Sequence, residues 1–177
     1  MDNNYAIKLD FNLHKHGSLL VSQKEPSQEV QGQGKMSQMK LTAEQLATVK
    51  VMVIDDSNTI RRSAEIFLKT SGCSVILAED GFDALAKISN ENPDIIFVDI
   101  MMPRLDGYQT CSLIKRNARY KSTPVIMLSS KDGLFDRARG RMVGSDQYLT
   151  KPFTQETLID AVQTYAAISK SNQQKVE

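Results

Sequence analysis

Tryptophan is absent from the 177 residues, and cysteine and histidine occur only twice each, as Cys73, Cys111, His14 and His16. Two cysteines are too few for a disulfide framework or a zinc site, so both read as reduced thiols on packed helices. The two histidines lie in a polar stretch with no further ligand at useful spacing, and they read as solvated side chains. Charge of one sign is missing too. Lys and Arg number 22 against 21 Asp and Glu, a net charge of +1. That lacks the basic excess or basic block of a nucleic-acid binder. No apolar run approaches the roughly 18 residues of a membrane span, and Met1-Asp2-Asn3-Asn4 does not open a basic-then-apolar signal pattern. The expectation is a cytoplasmic protein with no nucleic-acid partner and no membrane insertion. With 41% hydrophobic and 24% charged residues, the composition is that of a soluble globular chain.

The chain divides unevenly. Residues 1–47 hold five lysines and five acids, with apolar residues scattered without a period. Ser22 to Gln38 offers almost nothing to bury and cannot offset its ordering entropy. The expectation is a disordered or weakly structured extension over 1–47, relieved by a short helical turn at Thr42–Thr48, where Thr42 and Gln45 fit a capping box. From Lys50 onward five short apolar runs recur: Val51–Ile54, Val75–Ala78, Ile95–Val98, Val125–Leu128 and Tyr148–Leu149. The first four are continuous, as in parallel strands buried on both faces. Segments of helical spacing lie between them. Ile60, Ala64, Phe67 and Leu68 mark the first, with Gly72 where it would stop. Leu85 and Ile88 mark a second, and Tyr108, Cys111 and Ile114 a third. A more polar fourth runs near Leu134–Val143, and Leu158, Val162, Tyr165 and Ala166 mark a fifth. The order is (βα)5, which implies an α/β fold with a doubly wound parallel five-stranded sheet. The expected domain spans 48–168, and 169–177 reads as a flexible tail.

Open α/β sheets place their sites at the carboxyl ends of the strands. There the first strand ends in Asp55-Asp56, the third in Asp99, the fourth in Ser129-Ser130, and the fifth runs into Lys151-Pro152. Three carboxylates would share one pocket. At a separation of about 4 Å each like-charge pair costs about 4 kcal/mol at an effective dielectric of about 20. Lys151 offsets one charge, and a hard divalent ion with few protein ligands, Mg²⁺ before Ca²⁺, would offset the rest. A carboxylate beside such an ion, a lysine and a hydroxyl has the parts for attack on phosphorus. Asp99, alone on the central strand, is the natural nucleophile, with Asp55 and Asp56 better placed to hold metal. Any one of these residues alone reads equally well as a helix cap or turn residue.

These motifs also carry a resemblance. Val51 to Ser57, Phe97 to Gly107 and Tyr148 to Phe153 are similar to the receiver domain of two-component response regulators, over about Lys50 to Ala167. The resemblance implies a flavodoxin-like, CheY-like fold with strand order 2-1-3-4-5. It implies phosphorylation of Asp99 by a histidine kinase. It implies Mg²⁺ bound by Asp56 directly, by Asp55 mainly through water, and by the Met101 backbone carbonyl. Ser129 and Lys151 are the implied hydroxyl and lysine, with a cis peptide before Pro152, and Tyr148 is the implied switch aromatic. On phosphorylation Ser129 would turn inward and Tyr148 would follow, reshaping the face of the fourth helix, fifth strand and fifth helix. Arg137 and Arg141, with Arg139 between them, read as a partner-binding strip or a solvated helix face.

Asp80 to Ile88, Met101 to Thr110, Lys131 to Asp136 and Gly144 to Phe153 resemble the single-domain receivers that regulate type IV pilus twitching motility. That implies a chemosensory-type histidine kinase upstream, a pilus-regulatory protein downstream, and a monomer. A flagellar-type chemotaxis receiver or phosphate sink shares the chemistry with a different partner. A phosphohydrolase is disfavoured because Met101 stands where such enzymes carry a second acid. A transcription factor is disfavoured because no basic reading helix follows Ile168.

Overall fold

The computed structural model describes residues 40–130 and 133–173, with side-chain surroundings through 166. Expectations for residues 1–39, including His14 and His16, and for 174–177 lie outside the described residues. Five parallel strands form one sheet: β1 (Lys50–Ile54), β2 (Ser74–Ala78), β3 (Ile95–Asp99), β4 (Val125–Ser129) and β5 (Gln147–Thr150), in the order β2-β1-β3-β4-β5. Six helices accompany them: α1 (Ala43–Ala47), α2 (Asn58–Thr70), α3 (Gly81–Glu91), α4 (Gly107–Arg116), α5 (Leu134–Met142) and α6 (Gln155–Gln173).

The pleat explains both cores. Val51 and Val53 of β1, Ile95 and Phe97 of β3, and Ile126 and Leu128 of β4 pack with α1, α2 and α6. Their alternates, Met52, Ile54, Ile96, Val98, Val125 and Met127, pack with α3 and α4. Side chains alternate across a strand, so continuous apolar runs serve two helical layers at once. β2 departs from the expectation. Its Val75, Ile76 and Leu77 are only half-buried, because β2 is an edge strand with a neighbour on one side.

Both expected boundaries shift. The Thr42–Gln45 capping box forms as read from the sequence, but the segment it opens is packed. Leu46 and Val49 are buried in the core, and Leu41 lies against it. Gln163 of α6 holds Leu41 twice, accepting its N–H at 2.5 Å and donating to its carbonyl at 3.2 Å. The start at 48 therefore falls too late, because the polar composition of the first 47 residues hides two apolar anchors, Leu41 and Leu46, at its end. At the other terminus α6 continues through Gln173, since Ser169 to Gln173 contains no glycine or proline to stop it.

Two glycines shape turns of the fold, and the second lies at the site. Gly72 adopts φ 97°, which lets the Cys73 N–H turn back to the Leu68 carbonyl at 3.0 Å and end α2. At Gly107 a Cβ would lie 2.2 Å from the Asp99 carbonyl oxygen. Only glycine lets α4 start directly against the end of β3.

Candidate functional site

Sheet register brings the chemistry together. Ile54 pairs with Val98, Asp99 with Leu128, and Ser129 with Thr150. Asp55, Asp99, Ser129 and Lys151 thus leave four adjacent strands at one level. Carboxylate oxygens of Asp55, Asp56 and Asp99 all lie within 4.8 Å of one another. The Lys151 ammonium sits between two of these groups, 2.5 Å from Asp55 Oδ2 and 2.9 Å from Asp99 Oδ1. Its own N–H donates to the Ser129 carbonyl at 2.6 Å, and the Lys151–Pro152 peptide is cis, as the resemblance implied.

Asp55 has no solvent exposure. Its Oδ1 accepts the Ser57 N–H at 2.9 Å, and its carbonyl accepts from Arg61 at 2.5 Å. Burial pushes its carboxyl above the ordinary 3.8, and the charge of Asp99 adds to this. The hydrogen bonds from Lys151 and Ser57 pull the other way and do not prevail. Asp56 is exposed and Asp99 is buried. The reading of Asp55-Asp56-Ser57 as a helix cap holds for Ser57, whose hydroxyl caps α2, and not for the two acids.

Charge in this pocket does not balance. Three carboxylates face one ammonium, and every side-chain donor in the cluster is a hard oxygen. That donor set fits a divalent cation of the Mg²⁺ type. Beside it lies a cleft of about 530 Å³, bounded by Asp56, Met101, Ser129, Tyr108, Asp136 and Arg139. Ser129 is buried, whereas Met101, whose backbone carbonyl the resemblance implicated, is 63% exposed.

Tyr148 stands apart from the carboxylates. It is half-buried against the α3–α4 side of the core, with the Arg137 guanidinium 5.4 Å from its ring centre. The arginine strip is split. Arg139 turns away from Arg137, lying 4.2 Å from the Tyr108 ring centre and 3.7 Å from Asp106 Oδ2.

Residues of this wall and of the neighbouring loops have contacts that the sequence reading did not assign. Tyr108 read only as a core position, yet its hydroxyl donates to the Asp136 carbonyl at 3.2 Å. Burial first, then the nearby Asp136 and Tyr148, pushes that hydroxyl up to about 12. Asp106 caps α4 in a box with Gln109, and the Asp-x-x-Gln spacing was the signal for it. Asp80 caps α3 and pairs with Arg104, which adopts φ 68°. That long-range pair leaves no local signal.

The sequence matches the response regulator receiver domain family over residues 51–163. The chain belongs to that family. It is 73% identical over 117 residues to Protein PilG of Pseudomonas aeruginosa, covering 66% of this chain and 87% of that protein. Response regulator MprA of Mycobacterium sp. is 39% identical over 111 residues, 63% of this chain and 47% of that protein, so the receiver spans about half of MprA. Among solved structures, chemotaxis protein CheY4 of Vibrio cholerae matches with a TM-score of 0.64 at 34% identity, covering 66% of this chain and 98% of that one. The receiver domain of Francisella response regulator 1452 matches with a TM-score of 0.64 at 36% identity, covering 68% and 98%. The receiver fold, its strand order and its place in two-component signalling rest on this agreement. No described helix is long and apolar enough to cross a membrane.

Proposed function

We propose that this receiver is a phosphorylation-controlled switch in which Asp99 accepts a phosphoryl group from a chemosensory-type histidine kinase. The observation that carries the reading is the Lys151 ammonium 2.9 Å from Asp99 Oδ1, within a cluster of three carboxylates. An Asp99 oxygen forms a bond to phosphorus as the phosphorus–nitrogen bond of the donor phosphohistidine breaks, and the electron pair stays with the imidazole. Lys151 holds a phosphoryl oxygen and aims the Asp99 carboxylate. Asp55 fixes Lys151 and is itself fixed by the Ser57 N–H. Ser129 donates to a second phosphoryl oxygen. Asp55, Asp56, Asp99 and the Met101 carbonyl would hold Mg²⁺, which when bound would supply positive charge to the phosphoryl group.

The switch then runs through Ser129 to Tyr148 and reshapes the face of α5, β5 and α6 for a downstream partner. The similarity to PilG over 87% of that protein, with the resemblance to twitching-motility receivers, supports a pilus-regulatory partner and a cytoplasmic location. Met101, standing where aspartyl-phosphate phosphohydrolases carry a second acid, supports a phosphoacceptor and not a general phosphatase, with turnover limited to one slow cycle.

Intact mass after incubation with acetyl phosphate tests the reading. One phosphoryl adduct is expected with Mg²⁺, and none in EDTA or with Asp99→Asn. An adduct of equal yield on Asp99→Asn would overturn it.

A further inference from the structure

An open groove of about 370 Å³ runs between α4 and α5, on the opposite side of α5 from β5 and α6. Leu105 and Tyr108 form its buried floor with half-buried Val143, and Leu113, 44% exposed, forms its α4 wall. Arg116 and Arg139 stand at its rim. Gln109, Leu113 and Arg116 follow the i, i+4, i+7 spacing of one helical stripe, which runs about 10 Å, or two turns.

Charge on these two helices is one-sided although the chain as a whole carries only +1. They hold Lys115, Arg116, Arg137, Arg139 and Arg141 against one acid, Asp136, whose carboxylate accepts the Tyr108 hydroxyl at 3.4 Å. Lys115 is committed to Asp146 at 2.8 Å. Arg116 has no ion pair among the described residues. Arg139 lies over the Tyr108 ring of the floor at 4.2 Å, and its one ion pair is an exposed 3.7 Å contact with Asp106, the kind that contributes little. Two cations thus flank an apolar slot two turns long.

We propose that this groove docks an acidic amphipathic helix of a partner protein. Apolar side chains at i, i+3 or i+4, and i+7 of that helix fill the slot beside Leu113 and Val143. Carboxylates flanking them pair with Arg116 and Arg139, whose planar guanidinium groups suit two-point recognition. Residues 1–39 do not qualify as the occupant on charge, with four lysines against four acids. The groove shares Tyr108 and Arg139 with the cleft beside Ser129, so an occupant touches the wall of the acidic pocket.

The test is an unbiased selection of displayed helical peptides on the full-length chain, with amide shift mapping of the best binder by NMR. Selected peptides are expected to carry the apolar stripe and net negative charge, and to shift Leu113, Arg116 and Val143. Arg116→Glu, exposed and checked for folding by circular dichroism, is expected to weaken binding about tenfold. A peptide with Lys in place of the Glu facing position 116 is expected to restore it. Four results would each overturn the proposal: no selected helix, a binder that shifts Arg137, Arg141 and Tyr148 instead, an Arg116→Glu chain that binds unchanged, or phosphatidylserine vesicles that bind with the same Arg116 dependence.

Discussion

Lys151 Nζ lies 2.5 Å from Asp55 Oδ2, a contact that closes 96 residues of chain and joins the first and last strands of the receiver at its acidic pocket. Asp55 is fully buried and Lys151 nearly so. Lys151→Ala would leave the Asp55 and Asp99 carboxylates facing each other without a cation. Breaking a buried pair of this kind costs about 3 kcal/mol or more. An unfolding free energy from urea titration in EDTA lower by that amount is the expected result, and an unchanged value would show that the pair contributes nothing.

Mg²⁺ should stabilise the fold by binding only the native state. At about a hundred times its Kd the gain is about 2.7 kcal/mol, read as a rise in Tm. Asp56→Ala is expected to lose this rise while keeping nearly the same Tm in EDTA, since Asp56 is exposed. An equal rise in the variant would place the ion elsewhere.

Leu46→Ala tests whether the segment before β1 belongs to the domain. Leu46 is 7% exposed within the core, and truncating such a leucine costs about 2–4 kcal/mol. Removing residues 1–39 should leave the unfolding midpoint nearly unchanged. A Leu46→Ala chain as stable as the wild type would return the boundary to residue 48.

Asp83 gives the pH dependence a sign. Burial pushes its carboxyl up, but hydrogen bonds from Lys87 and the Glu79 N–H outweigh this and leave it below the ordinary 3.8. A depressed carboxyl contributes stability above its unfolded value and loses it as pH falls through the folded value. Asp83→Asn should therefore cost under about 1 kcal/mol at neutral pH, and the gap to wild type should close in acid below 3.8. A gap that widens in acid would reverse the sign.

Glycine 107 is expected to tolerate no side chain. Gly107→Ala would drive a methyl group to 2.2 Å from the Asp99 carbonyl oxygen, a backbone clash expected to cost about 2–3 kcal/mol. Gly133→Ala meets only the movable Asp136 carboxylate at 3.0 Å and should stay within about 0.5 kcal/mol. Equal effects in thermal unfolding would contradict the packing described.

Much of this was legible because it rests on local pattern. Val51–Ile54, Ile95–Val98 and Val125–Leu128 are buried on both faces, so their runs are unbroken and their polar ends stand out. The acids, Ser129 and Lys151 were visible as strand ends before any contact was known. What was hidden depends on distant pairing. The clasp of Gln163 on Leu41 links positions 122 apart, and neither residue signals it. The i, i+4 rule paired Arg137 with Arg141 and passed over Arg139, whose partners Tyr108 and Asp106 lie on another helix. The α5 helix reads as polar because Gly140 is its buried residue, packed toward Met127 and Tyr148 of the sheet.

The central claim is that Asp99 carries an acyl phosphate. Borohydride reduces an aspartyl phosphate to homoserine and leaves free carboxylates untouched, so the most direct measurement is borohydride trapping after phosphorylation, followed by peptide sequencing in the mass spectrometer. The account predicts homoserine at position 99 alone, dependent on Mg²⁺. Homoserine at position 55 or 56 with Asp99 unmodified would contradict it.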